Sequence, residues 1–162
     1  MNQGVHGIDL LTWMAGDVES VFARCATQVR DIEVEDTAIA SLKFKNGALG
    51  NIEGTTSVYP AQDTRIEIHC EKGSMIVSDK GILQWSIEGS DEQAPEIQAP
   101  VFKMKDDPTK LPGTSHVVPL GDMADAIIND RKPAVTPREA RKAVDLILAI
   151  YQSSDEKREI TL

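Results

Sequence analysis

The spacing of apolar and polar residues changes repeatedly along the chain. From Asn2 to Ala15 the apolar residues recur at helical intervals, and Gly16 follows as a stop signal. Val5, Ile8 and Leu11 share one side and Leu10 and Met14 flank the other, so the segment predicts a heavily buried helix. From Val18 the chain becomes rich in β-branched residues with partial alternation (VESVFARCATQV), which predicts a strand. Ala38, Ala40, Leu42 and Phe44 alternate with Ile39, Ser41, Lys43 and Lys45; Asn46-Gly47 supplies a hairpin turn, and Leu49 to Val58 returns. The stretch TRIEIHCEKGSMIVSDKGILQWSI repeats this logic. Ile66, Ile68 and Cys70 alternate with Arg65, Glu67 and His69. Lys72-Gly73 turns the chain, Met75 to Val77 returns, and Lys80-Gly81 turns it again into Ile82–Ile87. The expectation is an antiparallel meander of about five or six strands.

Gly89 to Pro100 is polar with two prolines and reads as a loop; Val101 to Lys105 suggests a further edge strand, and Asp106 to Ser115 is irregular. Val117 to Asn129 predicts a helix with Leu120, Met123, Ala124, Ile127 and Ile128 on one face. Thr136 to Ser153 has the start signals of another: Thr136 at the N-cap, Pro137 at the first helical position and Glu139 at the third. Ala140, Val144, Ile147, Leu148 and Tyr151 form its expected apolar stripe, and REITL closes the chain as a short strand. Helix, strands in succession, then helices predict an α+β fold: a mainly antiparallel open sheet with helices packed on one face. The other face would be free for a second copy of the chain.

Composition narrows the function. With 162 residues and 41% hydrophobic content the chain can bury a core, read here as one domain over residues 1–162. Lys plus Arg number 17 and Asp plus Glu 26, a net charge of −9 that argues against nucleic acid and anionic membrane as partners. No apolar run approaches the roughly 20 residues of a membrane span. No basic segment with a cleavage site opens the chain. Cys25 and Cys70 stand singly and are expected as buried, reduced thiols. These features predict a cytoplasmic protein.

The first helix carries the candidate chemistry. At about 100° per residue, Asn2, His6, Asp9 and Trp13 fall on one narrow arc. A polar stripe on an otherwise apolar helix needs hydrogen-bond partners or a wet cleft. Facing a pocket, His6 would serve as general base, with Asn2 one turn away orienting it or the substrate. Capping groups and a satisfied core histidine are the plainer alternative. The three histidines, His6, His69 and His116, are widely separated and no metal-binding spacing joins them, so no metal site is expected. Tyr59, at the end of a strand, and His116, ahead of a helix, are weaker substrate-binding candidates. Trp13 is read as packing or interface.

MNQGVHGIDLL resembles the start of the second domain of the Gfo/Idh/MocA family of NAD(P)-dependent sugar and polyol oxidoreductases, where a D-x-G-x-H-x-x-D pattern stands. The resemblance continues through VEDTAIASLKFKNGALGNIEGTTSVYP, RIEIHCEKGSMIV and DMADAIINDRKPAVTPREARKAVDLILAIYQS, in family order. It implies that the chain is the C-terminal substrate and oligomerisation domain of an enzyme whose N-terminal Rossmann domain binds NAD or NADP. That domain is absent here: no G-x-G-x-x-G follows a strand, and the family's E-K-P motif with its catalytic lysine is missing. The implied reaction moves a hydride between a carbohydrate hydroxyl carbon and nicotinamide. His6 matches the family's histidine, Asp9 its following carboxylate and implied substrate contact, and Asn2 stands where many members have an aspartate. An amide can orient the imidazole but cannot stabilise its cation as a carboxylate does. The implied partners are a sugar or polyol and further copies of the chain through the open sheet face. No cofactor is expected in this chain alone, nor any turnover. A non-catalytic sugar-binding or regulatory relative, or a stand-alone oligomerisation module, are the competing readings.

Overall fold

The computed structural model describes residues 4–96 and 117–162. Helix α1 (Gly4–Ala15) leads into β1 (Val18–Ala26), β2 (Thr37–Phe44) and β3 (Leu49–Thr55), then β4 (Arg65–Cys70), β5 (Gly73–Ser78) and β6 (Gly81–Ile87). Helices α2 (Val117–Ile128) and α3 (Pro137–Glu156) follow, and β7 (Ile160–Thr161) ends the order. The fold is α+β with antiparallel open sheets, as the pattern predicts. Asn2, His116 and the expected strand Val101–Lys105 lie outside the described residues.

The strands form two sheets rather than one meander. A four-stranded sheet runs β3-β2-β1-β7 and a three-stranded sheet β4-β5-β6. Residues 56–64 separate them without strand pairing; Pro60, lacking an N–H, cannot extend the ladder. At the turn into β5, a Cβ on Gly73 would lie 2.5 Å from the Ser86 carbonyl oxygen. Only glycine lets these two strands approach so closely.

In the four-stranded sheet the alternation is clean. Ala38, Ala40, Leu42 and Phe44 of β2 are buried while Ile39, Ser41 and Lys43 face out. Val21 and Ala23 of β1 join the buried side, and α3 lies over them through Ala143, Leu146, Ala149 and Ile150. Val5, Ile8, Leu11 and Ala15 of α1 complete this core. A register shift between Val18 and Ser20 turns Ser20 inward, where its hydroxyl donates to Glu159. β7 is thereby tied to β1, with Val21 opposite Ile160.

α3 begins with the expected capping box: the Glu139 N–H donates to Thr136 Oγ1 at 3.3 Å, and the Thr136 N–H to Glu139 Oε2 at 2.8 Å. Its buried face differs from the expected stripe. Ala143, Leu146, Ala149, Ile150 and Ser153 face the sheet, while Val144 and Leu148 are 49% and 59% exposed. The small side chains of Ala143, Ala149 and Ser153 let the helix approach β1, and Ser153 Oγ accepts the Ala23 N–H at 2.9 Å and donates to the Arg158 carbonyl at 2.6 Å. Ile147 of the expected stripe does pack against this core, whereas Ala140, Val144 and Leu148 face out.

α2 keeps its expected apolar face, yet that face is uncovered: Leu120, Ile127 and Ile128 are exposed and only Ala126 is buried. Cys25 is half-buried, but Cys70, expected inside, is exposed near the end of β4; both thiols are free. Burial pushes the Cys25 thiol up from its ordinary value. No helix among the described residues is long and apolar enough to cross a membrane.

Candidate active site

α1 is anchored at both ends, and this fixes what its outer side presents. Gly16, at φ +95°, takes the left-handed conformation that stops the helix, and its N–H donates to the Thr12 carbonyl at 3.0 Å. Asn46 Nδ2 from the β2–β3 turn donates to the Ala15 carbonyl at 2.9 Å. At the other end, a Cβ on Gly7 would stand 3.6 Å from Thr64 Cγ2, so the first turns of α1 adjoin the connection into β4. Ile8 is buried. The polar stripe is not: His6 and Asp9 are exposed, and Trp13 is 81% exposed. The expected heavily buried helix is thus half-buried, because its core face is narrow and no other element covers the stripe among the described residues.

Tyr59 belongs to the 56–64 connection and is 96% exposed. With Val29–Ile32 and Thr56–Val58 it lines an open depression of about 570 Å³. The 28–30 turn beside it is held by Asp36, a buried carboxylate just before β2. Its oxygens accept the N–H groups of Gln28 at 3.1 Å, Val29 at 2.7 Å and Arg30 at 2.9 Å. The Arg30 and Val29 amides hold this carboxyl well below the usual carboxylate range. This is why the strand expected to continue through Val29 ends at Ala26: the amides turn to the carboxylate instead of a neighbouring strand. Arg30 then donates to the Thr56 carbonyl and to Thr56 Oγ1, locking the two loops together.

Beside these loops Tyr151 of α3 donates its hydroxyl to Glu35 Oε1 at 2.9 Å. Burial and the bonded Glu35 carboxylate push the phenol up to about 12. Sequence reasoning missed the Asp36, Arg30 and Glu35–Tyr151 contacts. The available signal was an aspartate closing a polar loop directly before an alternating strand, a position where carboxylates cap loop amides.

His6 and Asp9 therefore share the open side of one helix. Tyr59 stands in the loop that leads to Thr64 beside that helix, but His6 and Asp9 line neither its depression nor the shallow one at the start of α3. Exposed imidazole and carboxylate groups one turn apart can bind and deprotonate a hydroxyl once something closes over them.

Residues 1–76 match the family model described as GFO/IDH/MocA C-terminal domain. Over that stretch, just under half of its length, the chain is similar to the C-terminal domain of the Gfo/Idh/MocA family. It is 26% identical over 172 aligned residues to the myo-inositol 2-dehydrogenase of Thermotoga maritima, covering 100% of this chain and 48% of that protein. The chain thus spans about half the length of this curated relative. In structure it is similar to the WlbA dehydrogenase of Bordetella pertussis, solved with NADH and UDP-GlcNAcA: TM-score 0.78, 31% identity, 100% of this chain and 44% of that one. The WlbA dehydrogenase of the Chromobacterium violaceum complex gives TM-score 0.76 and 30% identity, covering 100% of this chain and 45% of that one. The proteins it resembles are dehydrogenases and oxidoreductases, several of them solved with NADH or sugar-like molecules.

Proposed function

We propose that this domain supplies the substrate side of an NAD(P)-dependent oxidoreductase acting on a CH–OH group of a sugar or polyol. In that enzyme a separate N-terminal half binds the nicotinamide, which accepts or returns the hydride. The observation that carries the reading is the open His6–Asp9 pair on a helix whose opposite face is locked into the core. His6 takes the hydroxyl proton as the hydride leaves, Asp9 accepts hydrogen bonds from substrate hydroxyls, and Asn2 orients the imidazole. Tyr59 and His116 are secondary substrate contacts. The similarity to UDP-GlcNAcA-bound dehydrogenases at 31% and 30% identity puts sugar nucleotides beside inositols in the set of substrates to try.

The outer face of the four-stranded sheet carries Phe22, Ile39 and Leu49, apolar and exposed, and offers a surface for a second copy of the chain. Light scattering on the full-length enzyme would show a dimer or larger; an Ile39→Asp variant that stayed the same size would remove this face from consideration.

The test is turnover of NAD(P)H by the full-length enzyme against a panel of polyols, sugars and sugar nucleotides. His6→Ala is expected to lower kcat by about 100-fold or more, the usual weight of a positioned general base. Full activity of His6→Ala on the true substrate would overturn the assignment. For the 162-residue chain alone, calorimetry is expected to show no tight NAD binding; micromolar affinity would contradict it.

A further inference from the structure

The charges on the outer face of the four-stranded sheet are ordered. Alternation sends Ala38, Ala40, Leu42 and Phe44 of β2 inward, so Ile39, Ser41 and Lys43 point out. The register carries this outward set across both neighbours. Arg24 and Phe22 of β1 stand opposite Ile39 and Ser41. Glu53, Asn51 and Leu49 of β3 stand opposite Ile39, Ser41 and Lys43. All eight side chains are exposed.

Lys43, Arg24 and Glu53 differ in how they are met. Lys43 pairs with Glu19 of its own chain at 2.7 Å. Arg24 lies over the Phe22 ring, 6.0 Å from its centre, and has no carboxylate partner among the described residues. Glu53 has no cation partner among them either. Arg24, Ile39 and Glu53 thus form one cross-strand row, with a free cation at one side, an apolar residue in the middle and a free anion at the other.

Face-to-face stacking of two such sheets about a two-fold axis has two simple choices through this row. With the axis parallel to β2, β1 lies over β3 of the other copy. Arg24 then meets the partner's Glu53, Glu53 meets the partner's Arg24, and Ile39 meets its own counterpart between them. Lys43 also faces its counterpart, but each carries its Glu19 carboxylate. With the axis across the strands, arginine lies over arginine and glutamate over glutamate, which like-charge repulsion opposes.

We propose that two copies of this chain pair through the outer sheet face with the axis along β2, and that reciprocal Arg24–Glu53 pairs fix this register. The inference rests on the second copy assigned to this face under Proposed function, and adds its geometry.

Arg24→Glu and Glu53→Arg in the full-length enzyme test it, with association read by sedimentation. Both side chains are exposed, so neither change should alter the circular dichroism of the fold. Each variant alone sets like charges face to face in both pairs, and should weaken association across this face about tenfold or more. Mixed one to one, the two variants should associate to within about threefold of the unaltered enzyme, because every arginine again meets a glutamate of the other copy. Rescue by the double variant but not by mixing would place the pair within one chain and overturn the proposal. So would single variants that assemble like the unaltered enzyme. Ile39→Asp separates this from the broader reading. If it dissociates the copies while the charge variants do not, the face stands and the pairing falls; if it leaves the size unchanged, both fall.

Discussion

In the four-stranded sheet, Ala38, Ala40, Leu42 and Phe44 follow one another into the core at 1–2% exposure. In the three-stranded sheet every residue of β5 is half-buried, and Ile66 of β4 is the residue of that sheet that reaches the core class among those described. Both sheets are antiparallel, both use tight turns, and β4 alternates apolar with polar residues as β2 does. They differ in what lies against them. The first sheet has α3 across β1 and α1 beside it; α1 meets the second at β4. Alternation specifies which side of a strand is apolar, whereas burial requires an element to cover that side.

Substitutions that shorten core side chains would break or confirm this contrast most sharply. Leu146→Ala, under the first sheet, is expected to cost about 2–5 kcal/mol by urea unfolding. Met75→Ala in β5 should cost less than half of that; equal losses would mean that the second sheet has a core of its own. Ser153→Ala comes next, because it strands the Ala23 N–H beneath α3: about 1–3 kcal/mol is expected from the same unfolding curves.

Asp36 probes the loop end of the covered sheet by pH. Its carboxyl titrates lower in the folded protein than in the unfolded chain, so its contribution is fully present above the unfolded value of about 3.9 and is lost as pH falls towards the folded one. Asp36→Asn should melt several degrees below the unaltered chain at pH 6, and the two melting temperatures should converge as the pH is lowered through 4 towards 2. A constant gap would show that the charge is not what holds the loop. The smallest effect is spectroscopic. In a Tyr59→Phe background the remaining phenol, Tyr151, should ionise with a midpoint of about 12 in an ultraviolet titration. A midpoint at the ordinary value of about 10 would put α3 further from Glu35 than the structure does.

Much of the fold was legible from local chemistry. Asn46-Gly47 and Lys80-Gly81 marked turns because glycine admits backbone angles that other residues resist, and Gly47 and Gly81 do take positive φ. The Thr136–Glu139 box marked the start of α3 because its bonds are made within one turn. What failed depended on distant neighbours. The face of α3 is chosen by how near small residues let it come to β1. The exposure of α2 and of Trp13 depends on what lies over them, which no periodicity records. In the candidate site, His6 and Asp9 were found by spacing and resemblance, and the structure adds that their side of α1 is open. The Asp36 and Glu35–Tyr151 contacts escaped because each joins residues separated by a loop or by most of the chain.

The three amides gathered by Asp36 also bear on how this surface can diversify. The path of residues 28–30 is set by a carboxylate at the far end of the loop, while Val29, Ile32 and Val34 point outward at 74%, 43% and 61% exposure. Shape and display are written in different residues. A library that randomised those three positions and kept Asp36 would vary the side chains displayed near Tyr59 while the amides of residues 28–30 stay held.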